Sequence, residues 1–345
     1  MMRDLFEDSL GRRLADVATP ETLRSLEGRV DGTLWAALEA EDFASALADG
    51  DPANAWSDAF GLVRAMGRRP APIPLVETMI ARWILSQAGL ERPEGPLSLS
   101  TNAHLALDAG RVSGTVSETP WGRAVPGVVA VLDDAVLLLP TAGTEIREAL
   151  NIAGEPRDCL AFASVAPIAT TRRPETLPGD IVRRALAAAR AAQIAGAAEQ
   201  ALLMTAEYAQ DRRQFGRSIS AFQVIQHHLA VMAEHACAAT VAADAAFRAA
   251  DEGFSELLAG SAKLVANEAA TQNAASAHAI HGAIGVTEEY ALQHLTRRLW
   301  SWRGEAGTTR QWAERIGRLA TAAGGDGLWS FLLDQAGLAP EGQTA

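Results

Sequence analysis

A single carboxylate stands among glycines and small residues near the end of the chain, in the stretch RGEAGTT. A carboxylate removes a proton from carbon when it lies within hydrogen-bonding reach of that proton and its pKa is raised. Glu305 is therefore a candidate catalytic base. A turn of this composition needs only glycine and a solvated side chain, so a structural role for Glu305 is the alternative.

A second candidate site lies in the stretch DRRQFGRSISAFQ, which joins two predicted helices. Ser220 and Gln223 have the spacing of a capping box, so we predict a helix that begins at Ser220. Arg212 precedes this helix start, and a guanidinium beside the positive end of a helix dipole favours a bound anion such as a pyrophosphate. Phe215 and Phe222 add flat apolar surface. The alternatives are a surface ion pair for Arg212 and core packing for the two phenylalanines.

The histidines and cysteines do not follow a metal-ligand pattern. His227 and His228 are neighbours on one predicted helix, where adjacent side chains point in different directions. Cys159 and Cys237 are the only cysteines, and neither has a partner at metal-ligand spacing. We predict packing or capping roles for the two histidines and no metal site.

The overall charge argues against several classes of partner. The chain has 345 residues and a formal net charge of −12, whereas nucleic acids and anionic membranes bind basic surfaces. The N-terminus mixes both charges without an apolar signal core, and we expect no apolar run that approaches the length of a membrane span. The composition is typical of a soluble globular protein. We predict a cytoplasmic protein with no nucleic-acid and no membrane partner.

Three segments of different character must position these residues. Residues 1–92 carry apolar residues at steps of three and four, which predicts an N-terminal α-helical domain. Residues 93–175 alternate apolar and polar residues between turn signals, which predicts a small middle β domain. Residues 176–345 return to a helical pattern and predict a C-terminal α-helical bundle domain. The predicted fold class is mainly α with a small, barrel-like central β domain.

The C-terminal segment contains four predicted helices with short connections. They run from about Asp180 to Ala209, from Ser220 onward, over about 256–280, and from about residue 308. Long helices joined by short connections are typical of a four-helix bundle.

The stretch around Arg212 carries a family resemblance. Its pattern R-x-Q-F-G-x-x-I-x-x-F-Q, followed by a Leu-Ala-x-Met helix, resembles the third domain of the acyl-CoA dehydrogenase flavoproteins. SAKLVAN is similar to the family's Ala-Lys helix, and AIHGAIGVTEEYALQHLTRRLW is similar to its His-Gly-Gly-x-Gly segment. The resemblance covers nearly the whole chain. The residues that match the first motif are Arg212, Gln214, Phe215, Gly216, Ile219, Phe222, Gln223, Leu229, Ala230 and Met232.

The resemblance implies an FAD-dependent oxidoreductase that acts on acyl-CoA thioesters, in fatty acid or steroid side-chain catabolism. It implies an electron-transfer flavoprotein as electron acceptor, and an oligomer, because in this family the segment around Arg212 reaches the FAD of a neighbouring subunit. His281 has a structural role as its alternative. Trp121 is a weak match to a tryptophan that the family places near the flavin. The cofactor-binding residues that the resemblance implies are Arg212, Phe215, Phe222, Gln223, His281, Gly282, Gly307 and Thr308.

The chain departs from the family where the base is expected. The family usually places a Glu immediately before Gly-Thr, but Ala306 precedes Gly307 here, and Glu305 lies one position early. Other members place the base near the position of Leu186, and no carboxylate occurs over 181–198. The family's Thr-Glu-Pro-x-x-Gly-Ser loop is absent, and the β domain is short. AIHGAIG has alanine where the family commonly has Gln and Gly.

These departures favour one interpretation over three alternatives. The chain resembles the shortened subunit of heteromeric, steroid-type bacterial acyl-CoA dehydrogenases, in which a longer subunit supplies the base. The first alternative is a self-sufficient homomeric enzyme that uses Glu305 as an offset base. The others are a non-catalytic structural subunit without flavin, and a flavin enzyme of the same fold with other chemistry, such as nitroalkane oxidation.

Overall fold

The computed structural model describes residues 2–17 and 19–335. The end of the predicted C-terminal domain, residues 336–345, lies outside the described residues, as do residues 1 and 18. Helices come first along the chain, strands occupy the middle, and long helices follow, so the predicted fold class is confirmed. The domain boundaries themselves stay a prediction.

The N-terminal helices enclose the first part of the core. Helix α6 begins directly after Pro74, and Gly89, with a φ of +67°, follows its end. Asp251, from the end of the later helix α8 (Gln223–Asp251), accepts the backbone N–H of Trp56 at 2.8 Å and thereby caps helix α5. The helices are α1 (Met2–Val17), α2 (Pro20–Ser25), α3 (Gly32–Ala40), α4 (Ala46–Asp49), α5 (Ala55–Arg68) and α6 (Leu75–Gln87).

The middle segment forms two four-stranded sheets. One has the strand order β1-β4-β5-β8 and the other β2-β3-β7-β6, and every pair is antiparallel except β1 with β4. Alternating residues of both sheets share one apolar core. The strands are β1 (Leu97–Leu99), β2 (Asn102–Asp108), β3 (Arg111–Pro120), β4 (Gly127–Val131), β5 (Ala135–Pro140), β6 (Glu145–Arg147), β7 (Arg157–Val165) and β8 (Ala169–Arg172).

The C-terminal segment is a helical bundle around the central helix α7. Helix α7 crosses α5 at two glycines: a Cβ on Gly67 would lie 2.0 Å from the carbonyl oxygen of Gln193, and one on Gly196 would lie 2.1 Å from that of Arg64. Only glycine allows this backbone approach, which fixes α7 against the N-terminal helices. The elements are α7 (Ile181–Asp211), β9 (Arg213–Gln214), β10 (Arg217–Ser218), α8 (Gln223–Asp251), α9 (Glu256–His281), α10 (Leu292–Trp302) and α11 (Thr309–Gln335).

The predicted start of α8 at Ser220 is wrong. The helix begins at Gln223, and its N-cap residue Phe222 makes no side-chain capping bond. A 3₁₀ turn over Ile219–Ala221 comes first, and Ser218 caps that turn by accepting the N–H of Ser220 at 3.3 Å. Ser218 therefore caps the 3₁₀ turn instead of α8, because the hairpin changes the direction of the chain before α8 begins.

Helix α8 also corrects the expectation about membrane-length runs. Among the described residues, this one helix is long and apolar enough to cross a membrane by length and composition. A core helix of a bundle passes the same test, and α8 packs along α7 and α9 through its buried Met232, Ala236, Ala239 and Ala243.

Candidate functional site

A cavity of about 720 Å³ lies between the β domain and the bundle. Its walls come from β2 and β3, the loop between β6 and β7, the N-terminal half of α7, and the loop between α10 and α11. Glu305, Ala306 and Gly307 all line it. The candidate base therefore does lie in a ligand-sized cavity.

Glu305 accepts four hydrogen bonds. Its Oε1 accepts from Asn151 Nδ2 at 3.0 Å and from Arg157 Nε at 2.9 Å. Its Oε2 accepts from Arg157 Nη2 at 3.0 Å and from Arg190 Nε at 2.8 Å. An ionised carboxylate has about four acceptor sites, so donors of this chain engage both oxygens fully.

These contacts shift the acidity of Glu305 away from that of a base. Burial by itself would raise the pKa of Glu305, but the charges of Arg157 and Arg190 and the hydrogen bonds from Arg157 and Asn151 lower it to about 2. A base for a weakly acidic C–H bond needs a raised pKa instead. The role of Glu305 as a base stays a prediction, and its ion pairs argue against that role.

The ion pairs of Glu305 belong to a larger buried network of three carboxylates and three guanidinium groups. Arg190 Nη2 lies 2.6 Å from Glu77 Oε1, and Arg298 Nε lies 3.0 Å from Glu155 Oε1. The network joins α6, the start of β7, α7, α10 and the loop after α10. Buried charges are tolerated only when each has its partners, so this network is a structural unit. Its members are Glu77, Glu155, Arg157, Arg190, Arg298 and Glu305.

Lys263, the only lysine of the sequence, anchors the loop between α10 and α11 by hydrogen bonds. Its Nζ donates to the carbonyl oxygens of Trp302 and Arg303 at 3.0 and 3.1 Å, and to Asn267 Oδ1 at 2.5 Å. Asn267 Nδ2 donates in turn to Thr309 Oγ1 at 3.3 Å. The SAKLVAN segment therefore fixes both ends of the loop that carries Glu305.

Gly307 and Thr308 are largely used within the chain. The backbone N–H of Thr308 donates to Gln311 Oε1 at 2.9 Å, and the N–H of Gln311 donates to Thr308 Oγ1 at 3.3 Å. This capping box starts α11. A Cβ on Gly307 would lie 2.4 Å from Trp312 Nε1, which donates to the carbonyl oxygen of Ala306 at 2.9 Å. Packing and capping account for both residues, and their contact with a cofactor stays a prediction.

The alternative base position also faces the cavity. Leu186 lines it together with Arg183 and Arg190, which lie about one helical turn before and after it along α7. Two arginines and a leucine thus occupy the α7 wall. Arg190 is a charged residue inside the alanine-rich run of α7, and this was the sequence signal for a buried ion pair. The sequence did not identify Arg157, Asn151 or the other network members.

The predicted anion site lies at the β9–β10 hairpin. Phe215 and Gly216 form its tip with φ values of +53° and +77°, and the Phe215 side chain is 91% exposed. The Arg217 guanidinium lies 4.2 Å from the ring centre of Phe222. A phenylalanine held at this exposure in a left-handed turn is available for contact outside the chain.

Open donors surround the same hairpin. Arg212 and Arg213 are exposed and make no ion pair with the described residues. Phe222 provides no side-chain cap and Gln223 is exposed, so the first N–H groups of α8 are open to a ligand. Guanidinium forks and a helix N-terminus are the donors that a pyrophosphate requires, so this end of the molecule fits part of an FAD.

His281 is held by its own chain. The ring lies between Ala277, whose carbonyl oxygen is 2.9 Å from Nδ1, and Tyr290, whose hydroxyl is 3.1 Å from Nε2. Tyr208 stacks on it with ring centres 4.4 Å apart, and burial lowers the pKa of His281. The neutral side chain has both nitrogens engaged, so any cofactor contact falls to the backbone at Gly282, whose φ is +63°.

The predicted cofactor residues form two groups that one chain does not bring together. Arg212, Phe215, Phe222, Gln223, His281 and Gly282 lie at the C-terminal end of α7, where Tyr208 links the hairpin to His281. Glu305, Gly307 and Thr308 lie near Arg190 in its N-terminal half. From Arg190 to Arg212 the helix rises about 33 Å at roughly 1.5 Å per residue. The two groups therefore lie far apart within this chain.

The remaining candidates have structural surroundings. Trp121 is buried in the β core with a φ of +56° and does not line the large cavity. His228 Nδ1 lies 3.2 Å from Ser276 Oγ, a packing contact between α8 and α9. Among the described residues, no group of three His, Cys, Asp or Glu side chains is arranged to hold a metal ion.

Comparison with known proteins places the chain among related sequences. Residues 181–320 match the acyl-CoA dehydrogenase C-terminal domain. The chain is 27% identical to acyl-CoA dehydrogenase IpdE2 of Mycolicibacterium smegmatis over 309 residues, which are 86% of this chain and 91% of that protein. It is 31% identical to acyl-CoA dehydrogenase FadE34 of Mycobacterium tuberculosis over 85% of this chain, but over only 42% of that protein.

Solved structures share the fold. The ChsE4–ChsE5 complex of Mycobacterium tuberculosis superposes with a TM-score of 0.80 at 21% identity, covering 92% of this chain and 96% of the compared chain. A variant of the steroid ACAD Tcur3481–Tcur3483 superposes with a TM-score of 0.83 at 23% identity, covering 93% of this chain and 98% of the compared chain. At these identities the structures establish the fold alone.

Proposed function

Because the chain belongs to the acyl-CoA dehydrogenase family of FAD-dependent oxidoreductases, we propose that it is the short subunit of a heteromeric acyl-CoA dehydrogenase. In this proposal a partner chain supplies the base that removes the α proton of the acyl-CoA. This chain completes the partner's FAD site with its hairpin. The enzyme passes its electrons to an electron-transfer flavoprotein.

The observation that carries the proposal is the complete engagement of Glu305. A base must have a free lone pair aimed at the proton that it removes. Both oxygens of Glu305 instead accept from Asn151, Arg157 and Arg190. Ala306 and Leu186 occupy the two positions where the family resemblance places the base, so we infer that a partner chain supplies the carboxylate.

The exposed hairpin gives the chain its part in the reaction. Arg212, Arg213 and the open N-terminus of α8 would hold the pyrophosphate of an FAD, and Phe215 and Phe222 would cover its apolar part. When bound, FAD accepts the hydride that leaves the β carbon of the acyl group. The 33 Å or so between the hairpin and this chain's cavity means that the FAD so held belongs to another chain's cavity.

Two features of the relatives support a partner. The chain matches less than half of FadE34, so more than half of that protein lies outside the match and has room for a second unit of this size. The two solved structures reported above are, by their names, a ChsE4–ChsE5 complex and a Tcur3481–Tcur3483 protein. A two-component assembly is therefore the arrangement that we extend to this chain.

The test is to purify the chain alone and together with a full-length family member encoded beside it. We expect the lone chain to be colourless and inactive toward acyl-CoA, and the co-purified complex to contain FAD and to reduce an electron acceptor. Full FAD occupancy with normal turnover in the lone chain would overturn the proposal. A colourless complex would instead favour a structural subunit without flavin.

A further inference from the structure

A second, smaller cleft lies where the N-terminal helices meet the bundle. It has a volume of about 120 Å³, and its walls come from α2, the end of α5, the C-terminal half of α7 and the start of α10. It shares no lining residue with the large cavity. Since a water molecule takes up roughly 30 Å³ in the liquid, the cleft has room for about four waters or for one small organic molecule.

The charged residues that line the smaller cleft are all arginines. Arg68 and Arg69 come from the end of α5, and no described carboxylate lines the cleft. Arg69 is exposed and makes no ion pair with a described residue. Arg68 lies 3.6 Å from Glu7 Oε1 and 3.8 Å from Glu199 Oε1, and both distances are too long for hydrogen bonds. Both guanidinium groups therefore keep donors for an anion.

A buried histidine adds a third donor. His294 lines the cleft and is 5% exposed. Burial and the charges of neighbouring arginines, Arg298 first, lower the pKa of His294 to about 4, so the ring is neutral near pH 7. Its Nε2 lies 3.1 Å from the amide nitrogen of Gln293, which can only donate, so the ring carries its proton on Nδ1. This N–H has no acceptor among the described residues.

Apolar side chains form the rest of the cleft. Leu23 of α2 and Leu295 of α10 are buried, and Met204 of α7 is half-buried. A small inorganic anion would leave these surfaces uncovered, whereas an aliphatic chain would remove them from water. The donors and the apolar walls together fit an anion that carries a short apolar chain.

We propose that the smaller cleft binds a short aliphatic monocarboxylate. Its carboxylate accepts from Arg69 and from Nδ1 of His294, and its chain contacts Leu23, Met204 and Leu295. Because the walls come from both the N-terminal helices and the bundle, the bound acid links the two and stabilises the folded chain by mass action. This site is independent of the proposed function, since none of its residues belongs to the hairpin or lines the large cavity.

Three small probes distinguish the chemistry of the ligand. Butyrate, n-butylammonium and inorganic phosphate are titrated into the purified full chain at constant ionic strength, and binding is followed by calorimetry and thermal unfolding. We expect butyrate to bind and to raise the midpoint temperature of unfolding. Butylammonium has a similar size and the opposite charge, so it should bind at least tenfold more weakly. Phosphate should also bind at least tenfold more weakly, because it leaves the apolar walls uncovered.

A single variant with a matched control assigns butyrate to this cleft. Arg69 has no described ion-pair partner, so Arg69→Gln should fold like the unmodified chain and bind butyrate about tenfold more weakly. Arg147→Gln removes the same charge from an exposed position on β6, outside the cleft. We expect this control to bind butyrate like the unmodified chain.

His294 provides a second readout at the site itself. Its Nδ1–H lacks a described acceptor in the free chain, and the butyrate carboxylate would supply one. We expect the Nδ1–H proton resonance, assigned with His294→Gln, to move downfield and to exchange more slowly with solvent when butyrate is added at about pH 7. NMR spectra with and without butyrate measure both changes.

Four results would overturn the inference. Equal binding of butyrate and butylammonium would remove the role of the arginines, and equal binding of butyrate and phosphate would remove the role of the apolar walls. Unchanged butyrate binding in Arg69→Gln, or an unchanged His294 resonance in saturating butyrate, would place the acid elsewhere. Each of these results leaves the proposed function intact, since FAD content and turnover of the complex do not depend on this cleft.

Discussion

The floor of the cavity, where Arg157 and Arg190 pair with Glu305, and the β9–β10 hairpin both present arginines. At the floor, Arg157 and Arg190 are buried and matched by carboxylates of their own chain. At the hairpin, Arg212 and Arg213 are exposed and have no described ion-pair partner. Charges matched inside the chain hold its three segments together, whereas charges left open outside are available to another molecule.

The largest expected effect follows from breaking the floor. Glu305→Ala should lower the free energy of unfolding by about 3–5 kcal/mol, because the buried guanidinium groups of Arg157 and Arg190 each lose one of their two carboxylate partners. Denaturant unfolding of the variant and the unmodified chain measures the loss. Glu314→Ala is the matched control, since its carboxylate pairs with the exposed Arg310 and its loss should cost under about 1 kcal/mol.

The same position separates a structural carboxylate from a base. Glu305→Gln keeps the size of the side chain but removes its charge. If Glu305 is a base, this variant would keep its stability and lose dehydrogenation in the complex. Loss of stability with turnover retained in the surviving complex would support the structural role.

The floor also marks what the sequence does not reveal. Helix periodicity and turn signals predicted the helix–strand–helix order, because those patterns depend on neighbours along the chain. The bonds from Arg190 and Arg157 to Glu305 span 115 and 148 residues, and no local pattern pairs them. The hairpin motif could be recognised in the sequence because its residues are contiguous. Its distance from the cavity, in contrast, follows from the length of α7 in the structure.

The hairpin should respond in the opposite way to the floor. Arg212→Gln should leave the unfolding free energy unchanged, because the side chain has no described ion-pair partner in its own chain. It should weaken FAD retention by the complex by about 10–100-fold, the effect of losing one charge-assisted contact. Flavin release during dialysis measures this, with Arg248→Gln as an exposed-arginine control. A stability loss without flavin loss would contradict the assignment of the hairpin to a partner.

The stability of the folded chain should depend on pH through the buried Lys263. Burial lowers the pKa of Lys263 to about 7, although the charge of Glu305 opposes the shift. Between about pH 7 and pH 10 the unfolded chain therefore binds more protons than the folded chain, and stability should rise with pH by up to about 1.4 kcal/mol per pH unit. Lys263→Met cannot titrate and should lack this rise. Parallel pH profiles of unfolding for the two proteins would contradict the shift.

The smallest expected effect distinguishes two serine or threonine caps. Thr308 and Gln311 form a capping box, whereas Ser220 and Gln223, with the same spacing, do not. Thr308→Ala should cost about 1 kcal/mol, because two N–H groups at the start of α11 lose their arrangement. Ser220→Ala should change stability by less than about 0.5 kcal/mol, since its main contact is a hydroxyl pair with Ser218. Equal losses of unfolding free energy in the two variants would contradict this expectation, because they would show that Ser220 caps α8. Thr308→Ala also loosens the end of the loop that carries Glu305. The unfolding free energy that it costs should therefore be smaller in a Glu305→Ala background.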